Sequence, residues 1–246
     1  MTSREDVLII AHRGASADYA ENTRDAFTGA AEQGSDWVEL DVRLASDGSL
    51  IVNHDAWYHD QRTVWETPSA QRPPEVPDLT QALQACARGA IARGGTPMGV
   101  NVEIKNTPGD LGGDDVPWSL DVVEPVLEVL AQHRSVEGLG DVLLTSFDAP
   151  TVDRVRELGG PPTGQLVADV EGWPDVVEST ADRGHVAVNP WDPFVDAAFV
   201  QRCHDHALAA NVWTVDAHDR IIELADMGVD GIVTNVPASA RRALQA

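Results

Sequence analysis

The sequence predicts an α/β chain folded as a single (β/α)8 TIM barrel, and three observations predict it. Short, nearly continuous β-branched runs alternate with segments of helical spacing from one end to the other, the pattern of a parallel sheet covered by helices. Eight such pairs fit the 246 residues, a length typical of that barrel. A doubly wound open sheet, the alternative, would place a Gly-rich phosphate loop after the first run, where His12-Arg13-Gly14 stands instead. No repeat, low-complexity tract or linker divides the chain, so residues 1–246 read as one domain.

The first strand is expected at Val7–Arg13, whose Val-Leu-Ile-Ile-Ala core suits burial on both faces, with a helix at Thr23–Gln33. Trp37–Leu44 is the second strand. Asp47-Gly48 is a hairpin turn, so Ser49–His54 reads as an extended run that folds back on it. Asp55–Pro77 holds Trp57, Tyr58, Trp65 and four prolines without any usable period, which reads as a lid or a disordered loop. The helix Asp78–Ala87 and the strand Val100–Lys105 follow, then Asn106–Pro117, read as a solvated acidic loop. Leu120–His133, Thr151–Leu158, Pro174–Arg183, Ala197–Ala207, Asp219–Met227 and Ala238–Leu244 have helical spacing. Between them lie strand-like runs at Val142–Phe147, Thr163–Ala168, His185–Asn189, Asn211–Val215 and Gly231–Asn235.

Charge narrows the function classes. Forty acidic against 17 basic residues give a net charge of −23, which opposes binding to nucleic acid and to anionic membranes. No apolar run approaches the ~20 residues of a membrane span, and Val7–Ala11 is too short for a signal-peptide core. The only cysteines, Cys86 and Cys203, read as buried free thiols in a reducing compartment. These features predict a soluble, cytoplasmic protein.

Ionisable residues at strand ends carry the chemistry, because a barrel strand has no structural use for a charge. Glu39 and Asp41 are two apart on one strand, so both point to one face, where two bare carboxylates repel. A divalent cation resolves that repulsion. Glu103 and Lys105 repeat the alternation on the next strand, and three carboxylates without a nearby Cys favour Mg2+ or Ca2+ over Zn2+. Any one of these pairs is unremarkable alone. Together with His12, Arg13 and His54 they gather at the ends of the first three strand regions. Lys105 is also the only lysine among the 17 basic residues, the other 16 being Arg. Of the remaining histidines, His204 and His206 face different ways on a helix, and His133 and His218 sit on helix surfaces. His185 opens a strand at the wrong end for chemistry, and His59, in the long loop, is a minor candidate for reaching the site.

In order along the chain, His12-Arg13-Gly14, Glu21-Asn22-Thr23, Glu39-x-Asp41, His54-Asp55, Glu103-x-Lys105, Ser146-Phe147, Trp213-Thr214-Val215 and Gly228–Pro237 resemble the glycerophosphodiester phosphodiesterase family. The resemblance runs from about Ile9 to Pro237. It implies a metal-dependent barrel that hydrolyses small glycerophosphodiesters to glycerol 3-phosphate and an alcohol. The substrate's own glycerol hydroxyl would attack first, giving a cyclic phosphate that water then opens. Carried across, Glu39, Asp41 and Glu103 resemble the metal ligands, and His12 and His54 the acid–base pair. Arg13 and Lys105 resemble the phosphate contacts, and Phe147 and Trp213 the apolar wall. Glu21 and Asn22 either brace the end of the first strand or cap the helix near Thr23, with a mixed role favoured for Asn22. Family members carry a longer insertion where Asp55–Pro77 stands, which leaves a lysophospholipid-cleaving phospholipase D as the alternative on the same barrel. From a different class, a non-catalytic barrel that binds a phosphorylated ligand would be expected to have lost a histidine or a carboxylate. This chain keeps them all.

Overall fold

The computed structural model describes residues 4–106, 119–169 and 175–245. In chain order the elements are β1 Leu8–Ala11, α1 Arg24–Glu32, β2 Trp37–Leu44, β3 Leu50–Val52, α2 Leu79–Ala92, β4 Met98–Ile104, α3 Val123–His133, β5 Leu139–Ser146 and α4 Ala149–Glu157. They continue with β6 Thr163–Val167, α5 Val176–Asp182, β7 Ala187–Pro190, α6 Ala197–Asp205, β8 Ala209–Val212, α7 His218–Met227, β9 Gly231–Thr234 and α8 Pro237–Leu244. Adjacent strands pair in parallel from β2 through β4 and onward to β9, and β1 pairs with both β9 and β2. Eight parallel strands therefore close into a (β/α)8 barrel. The ninth, β3, lies outside the ring, antiparallel to β2 with Val42 opposite Val52, as the Asp47-Gly48 turn predicts.

Local chemistry sets the boundaries. α1 begins where the Thr23 side chain accepts from the Ala26 amide, and α2 where Asp78 and Gln81 form a reciprocal capping box. That assigns the α1 cap to Thr23 and overturns the capping half of the reading of Asn22. The first strand ends at Ala11, so His12 and Arg13 occupy the turn after it. Every residue of β4 is buried, as a strand covered on both faces requires. Between strands and helices the largest apolar cluster joins α1, α2 and α3 to β2 and β4, and a second holds α7 and α8 against β1. Cys86 and Cys203 are buried on α2 and α6, where burial pushes both thiols up to about 12, keeping them protonated.

The long segment after His54 is neither a lid nor disordered. Tyr58 and Val64 pack with Ala45 and Ile51 into a small core of their own, and Trp57 bridges to Thr63. His59 is exposed, lies 3.6 Å from Glu75 and is not among the residues that line the barrel cavity. Asn106 is buried and donates to Thr151 Oγ1 and the Ser119 carbonyl, whereas the rest of the expected acidic loop, 107–117, lies outside the described residues. No helix among the described residues is long and apolar enough to cross a membrane.

His185 sits just before β7, at the strands' N-terminal end, buried between Thr163 Oγ1 at 2.7 Å and Asp153 Oδ1 at 3.1 Å. Burial lowers its pKa, with Arg183 adding to the shift and Asp153 opposing it. The unfolded chain therefore takes up the proton at higher pH than the folded one. The stability His185 contributes is present above ~6.5 and is lost as pH falls through its lower folded pKa. His185→Gln should be less stable near neutrality, yet lose less further stability than wild type on acidification to about pH 5.5. Urea midpoints of both proteins at the two pH values check this, and equal losses would contradict it.

Candidate active site

At the C-terminal ends of the strands the barrel opens into a cavity of about 260 Å³. His12, Arg13, Glu39, Glu103 and Lys105 line it from β1, β2, β4 and the turns after them, and His54 enters from beyond β3. Phe147 and Trp213 face them across the opening. Asp41 does not reach the wall, being 1% exposed, but its carboxylate belongs to the same group. One oxygen from each of Glu39, Asp41 and Glu103 lies within 4.8 Å of the other two. Strand alternation thus brings Glu39, Asp41, Glu103 and Lys105 together, and the turns after the strands add His12, Arg13, His54, Phe147 and Trp213, while Glu21 and Asn22 do not line the cavity.

The turn after β1 is shaped for this cluster. Arg13 has φ +56°, a left-handed conformation that costs an L-residue energy, and its amide donates to Glu39 Oε2 at 2.9 Å. Gly14 follows at φ +83°, where a Cβ would come within 2.6 Å of the Ala26 backbone, so only glycine lets the turn rest on α1. Asn22, also left-handed at φ +56°, donates Nδ2 to Asp41 Oδ2 at 2.7 Å. The Arg13 guanidinium spans from buried Asp41, at 3.5 Å, to both oxygens of exposed Glu21, at 3.0 Å. Glu21 thus touches the cluster by way of Arg13, and Asn22 by way of Asp41.

Electrostatics divide the carboxylates. Burial, with Asp41 and Glu103 adding repulsion, raises the Glu39 pKa well above the usual carboxylate range. Burial also pushes Asp41 up, but Lys105, Arg13 and His54 with the Asn22 hydrogen bond outweigh it and hold Asp41 at about 2. Lys105 Nζ lies 2.8 Å from Glu103 Oε1, 3.5 Å from Asp41 Oδ1 and 5.7 Å above the Phe147 ring. Both histidines are lowered: His12 by burial and Arg13, His54 by burial with Lys105 and Arg13 against the pull of Asp41. The donor set fits a hard cation. It is all carboxylate oxygen, and Asp41 Oδ1 is buried without a hydrogen-bond donor.

The apolar wall is braced. Phe147 and Trp213 meet edge to face at 5.6 Å, and Trp213 Nε1 donates to the Asn189 carbonyl at 2.7 Å. Beneath it lies a polar floor absent from the sequence reading. Thr145 donates to Asn101, Asn211 to Asn189, and Gln165 to the carbonyls of Ser146, Phe147 and Leu166. Arg43, buried on β2, donates Nε and Nη2 to the His54 carbonyl at 2.9 and 2.6 Å. Asn101 and Arg43 extend the Glu103 and Asp41 alternations by one step, a signal the sequence carried. Uncharged Thr145, Gln165 and Asn189 carried none.

The Glycerophosphoryl diester phosphodiesterase family profile matches residues 12–239, a span that includes all of these side chains. A glycerophosphodiester phosphodiesterase of Caldanaerobacter subterraneus subsp. tengcongensis is 26% identical over 250 residues, covering 94% of each chain. One from Bacillus altitudinis is 26% identical over 254 residues, covering 94% of this chain and 96% of the relative. Among solved structures, an Oleispira antarctica phosphodiesterase in complex with the product sn-glycerol-3-phosphate superposes with a TM-score of 0.82 at 21% identity, over the whole of both chains. With a family match that begins at His12 and ends in α8, and relatives of the same extent, this chain belongs to the glycerophosphoryl diester phosphodiesterase family.

Proposed function

We propose that the cavity hydrolyses small glycerophosphodiesters to glycerol 3-phosphate and an alcohol, using Mg2+ or Ca2+ and the histidines His12 and His54, in the cytoplasm, where two free thiols persist. The observation that carries this reading is the convergence of three carboxylates, two cations and two histidines on one cavity opposite an aromatic wall. The Oleispira antarctica enzyme on the same barrel, with its bound product, supports the glycerol 3-phosphate half. Held by Glu39, Asp41 and Glu103, the cation would neutralise phosphate charge as a Lewis acid when bound.

The protein's own groups then have defined tasks. Arg13 and Lys105 offset the charge of the phosphodiester, while Phe147 and Trp213 give the alcohol an apolar surface. As the substrate's glycerol hydroxyl bonds to phosphorus, one histidine takes its proton. The bond from phosphorus to the alcohol oxygen breaks, and the other histidine, entering as imidazolium, protonates that oxygen. Water then opens the cyclic phosphate with the two roles exchanged, restoring both histidines. A panel of glycerophosphodiesters and lysophospholipids, with and without chelator, tests the reading when both glycerol 3-phosphate and the released head-group alcohol are assayed. Turnover confined to lysophospholipids would replace it with the phospholipase D alternative.

Three outcomes are expected at the level of single residues. Glu39→Gln should abolish activity while preserving the thermal midpoint, because an amide relieves burial and like-charge repulsion in the metal-free protein, whereas Asp41→Asn should abolish activity and lower the midpoint, because it removes a charge that Lys105 and Arg13 stabilise; full activity after exhaustive chelation would contradict the metal role. His12→Ala and His54→Ala should each cost about as much as the double variant, since the pair acts as a unit. The pH profile of kcat/KM should be bell-shaped with its acid limb below ~6.5, following the lowered histidines of the free enzyme. Modest, additive losses would refute the shared role. Lys105→Arg should lose more than about tenfold in kcat/KM, because a planar fork cannot replace a compact ammonium lodged between Glu103 and Asp41. Activity within about threefold of wild type in a folded, metal-loaded Arg variant would show that any cation serves.

A further inference from the structure

The chemistry assigned to the cavity leaves one part of the molecule unused: the end of β9, where Thr234 and Asn235 meet Asp216 from the segment after β8. Asp216 Oδ1 accepts from the Asn235 amide at 2.8 Å and from Thr234 Oγ1 at 3.0 Å. Asp216 Oδ2 accepts from Asn235 Nδ2 at 2.7 Å. On its other side, Asn235 Oδ1 lies 2.7 Å from His12 Nδ1, and Ser16 Oγ lies 2.8 Å from both Asn235 Oδ1 and the His12 carbonyl.

Donor and acceptor logic fixes the direction of this chain. An ionised carboxylate only accepts, so the NH2 group of Asn235 must turn toward Asp216. Its carbonyl oxygen must then turn toward His12. That oxygen has no proton to give, so His12 Nδ1 must carry one. A neutral imidazole holds a single N–H, which leaves Nε2, the nitrogen not engaged by Asn235, with the lone pair.

We infer that Asp216 and Asn235 are positioning residues that lock His12 in the Nδ1–H tautomer, so that its Nε2 meets the substrate as a proton acceptor. The inference rests on the reading of His12 as half of the acid–base pair. When Nε2 takes the proton of the attacking hydroxyl, the resulting imidazolium keeps Nδ1–H on Asn235, so no group in the chain has to turn over during the step. His54 differs, since its Nδ1 lies 2.9 Å from the Asp55 carboxylate rather than from an amide.

Asp216→Asn tests this without changing the shape of the side chain. The introduced side-chain amide can still accept from the Asn235 backbone N–H and Thr234, but its NH2 group faces that of Asn235. Asn235 must flip, presenting Nδ2 to His12 and forcing the Nε2–H tautomer. Nitrogen-15 NMR of Mg2+-loaded protein at about pH 8, above the ordinary histidine range, reads the tautomer directly. Wild type should show Nδ1–H at His12 and Asp216→Asn should show Nε2–H. In the variant kcat should fall by at least about 100-fold, a wrong tautomer costing up to about 10⁴-fold in a serine protease triad, with KM and the thermal midpoint little changed. The exchanged pair, Asp216→Asn with Asn235→Asp, puts an acceptor back against His12 and a donor behind it, and should restore Nδ1–H and most of kcat. An Nε2–H tautomer in wild type, or a variant that loses kcat with its tautomer unchanged, overturns the inference. If the tautomers behave as expected while wild type hydrolyses no glycerophosphodiester, the lock stands and the substrate reading fails.

Discussion

Three carboxylates gathered within 4.8 Å in a buried cavity set the terms for everything around them. At an effective dielectric constant of about 20, each pair of unit charges at that distance repels by roughly 3 kcal/mol. Three pairs approach the whole stability of an ordinary domain, about 5–15 kcal/mol. The chain must therefore supply compensation, and each neighbouring feature does so. Arg13 is twisted into a left-handed turn that aims its amide at Glu39 and its guanidinium at Asp41. Lys105 lies between Glu103 and Asp41, and Asn22 adds a donor to Asp41. Glu39, pushed well above the usual carboxylate range by burial first and by the repulsion of Asp41 and Glu103 second, is where that compensation is least complete.

Most of the fold and the charged half of the site were legible in the sequence because both rest on periodicity. Strand alternation places Glu39 with Asp41, and Glu103 with Lys105, on the inner face, and the barrel's parallel order makes those faces neighbours. What stayed hidden has no period. Asn189, Gln165 and Thr145 are uncharged residues in apolar runs, indistinguishable from core until the strands are seen to close. Asn22 was ambiguous because its neighbour Thr23 is an equally good cap, and only the observed Thr23 bond separates the two roles. Asp216 sits in a short connection whose partners are about 20 residues further on, beyond the reach of any local pattern.

The segment 55–77 shows how loop length alone misleads. Rich in Pro and lacking a period, it has the profile of a mobile cover. Yet Tyr58 is 1% exposed, and Arg62 ties Asp60 to the Gln71 carbonyl. A few large apolar side chains and a guanidinium are enough to order a loop that lacks regular secondary structure. None of its residues lines the cavity, whose walls among the described residues come from the strand ends and the turns next to them.

The two histidines stand on different kinds of backbone. His12 follows a strand of the closed ring, whereas His54 follows the three-residue β3, held outside the ring by β2, by the Pro77 carbonyl and by the clamp of Arg43 on its own carbonyl. A closed ring opens only as a unit, whereas β3 is joined to it along one edge, through β2, and through Leu50 and Val52 in the main core. Losing His54 from the cavity would thus take the release of β3 alone, short of opening the ring. Peeling β3 away from β2 would withdraw His54 while leaving the carboxylates and His12 in place, a state with an intact barrel and half of the proposed acid–base pair.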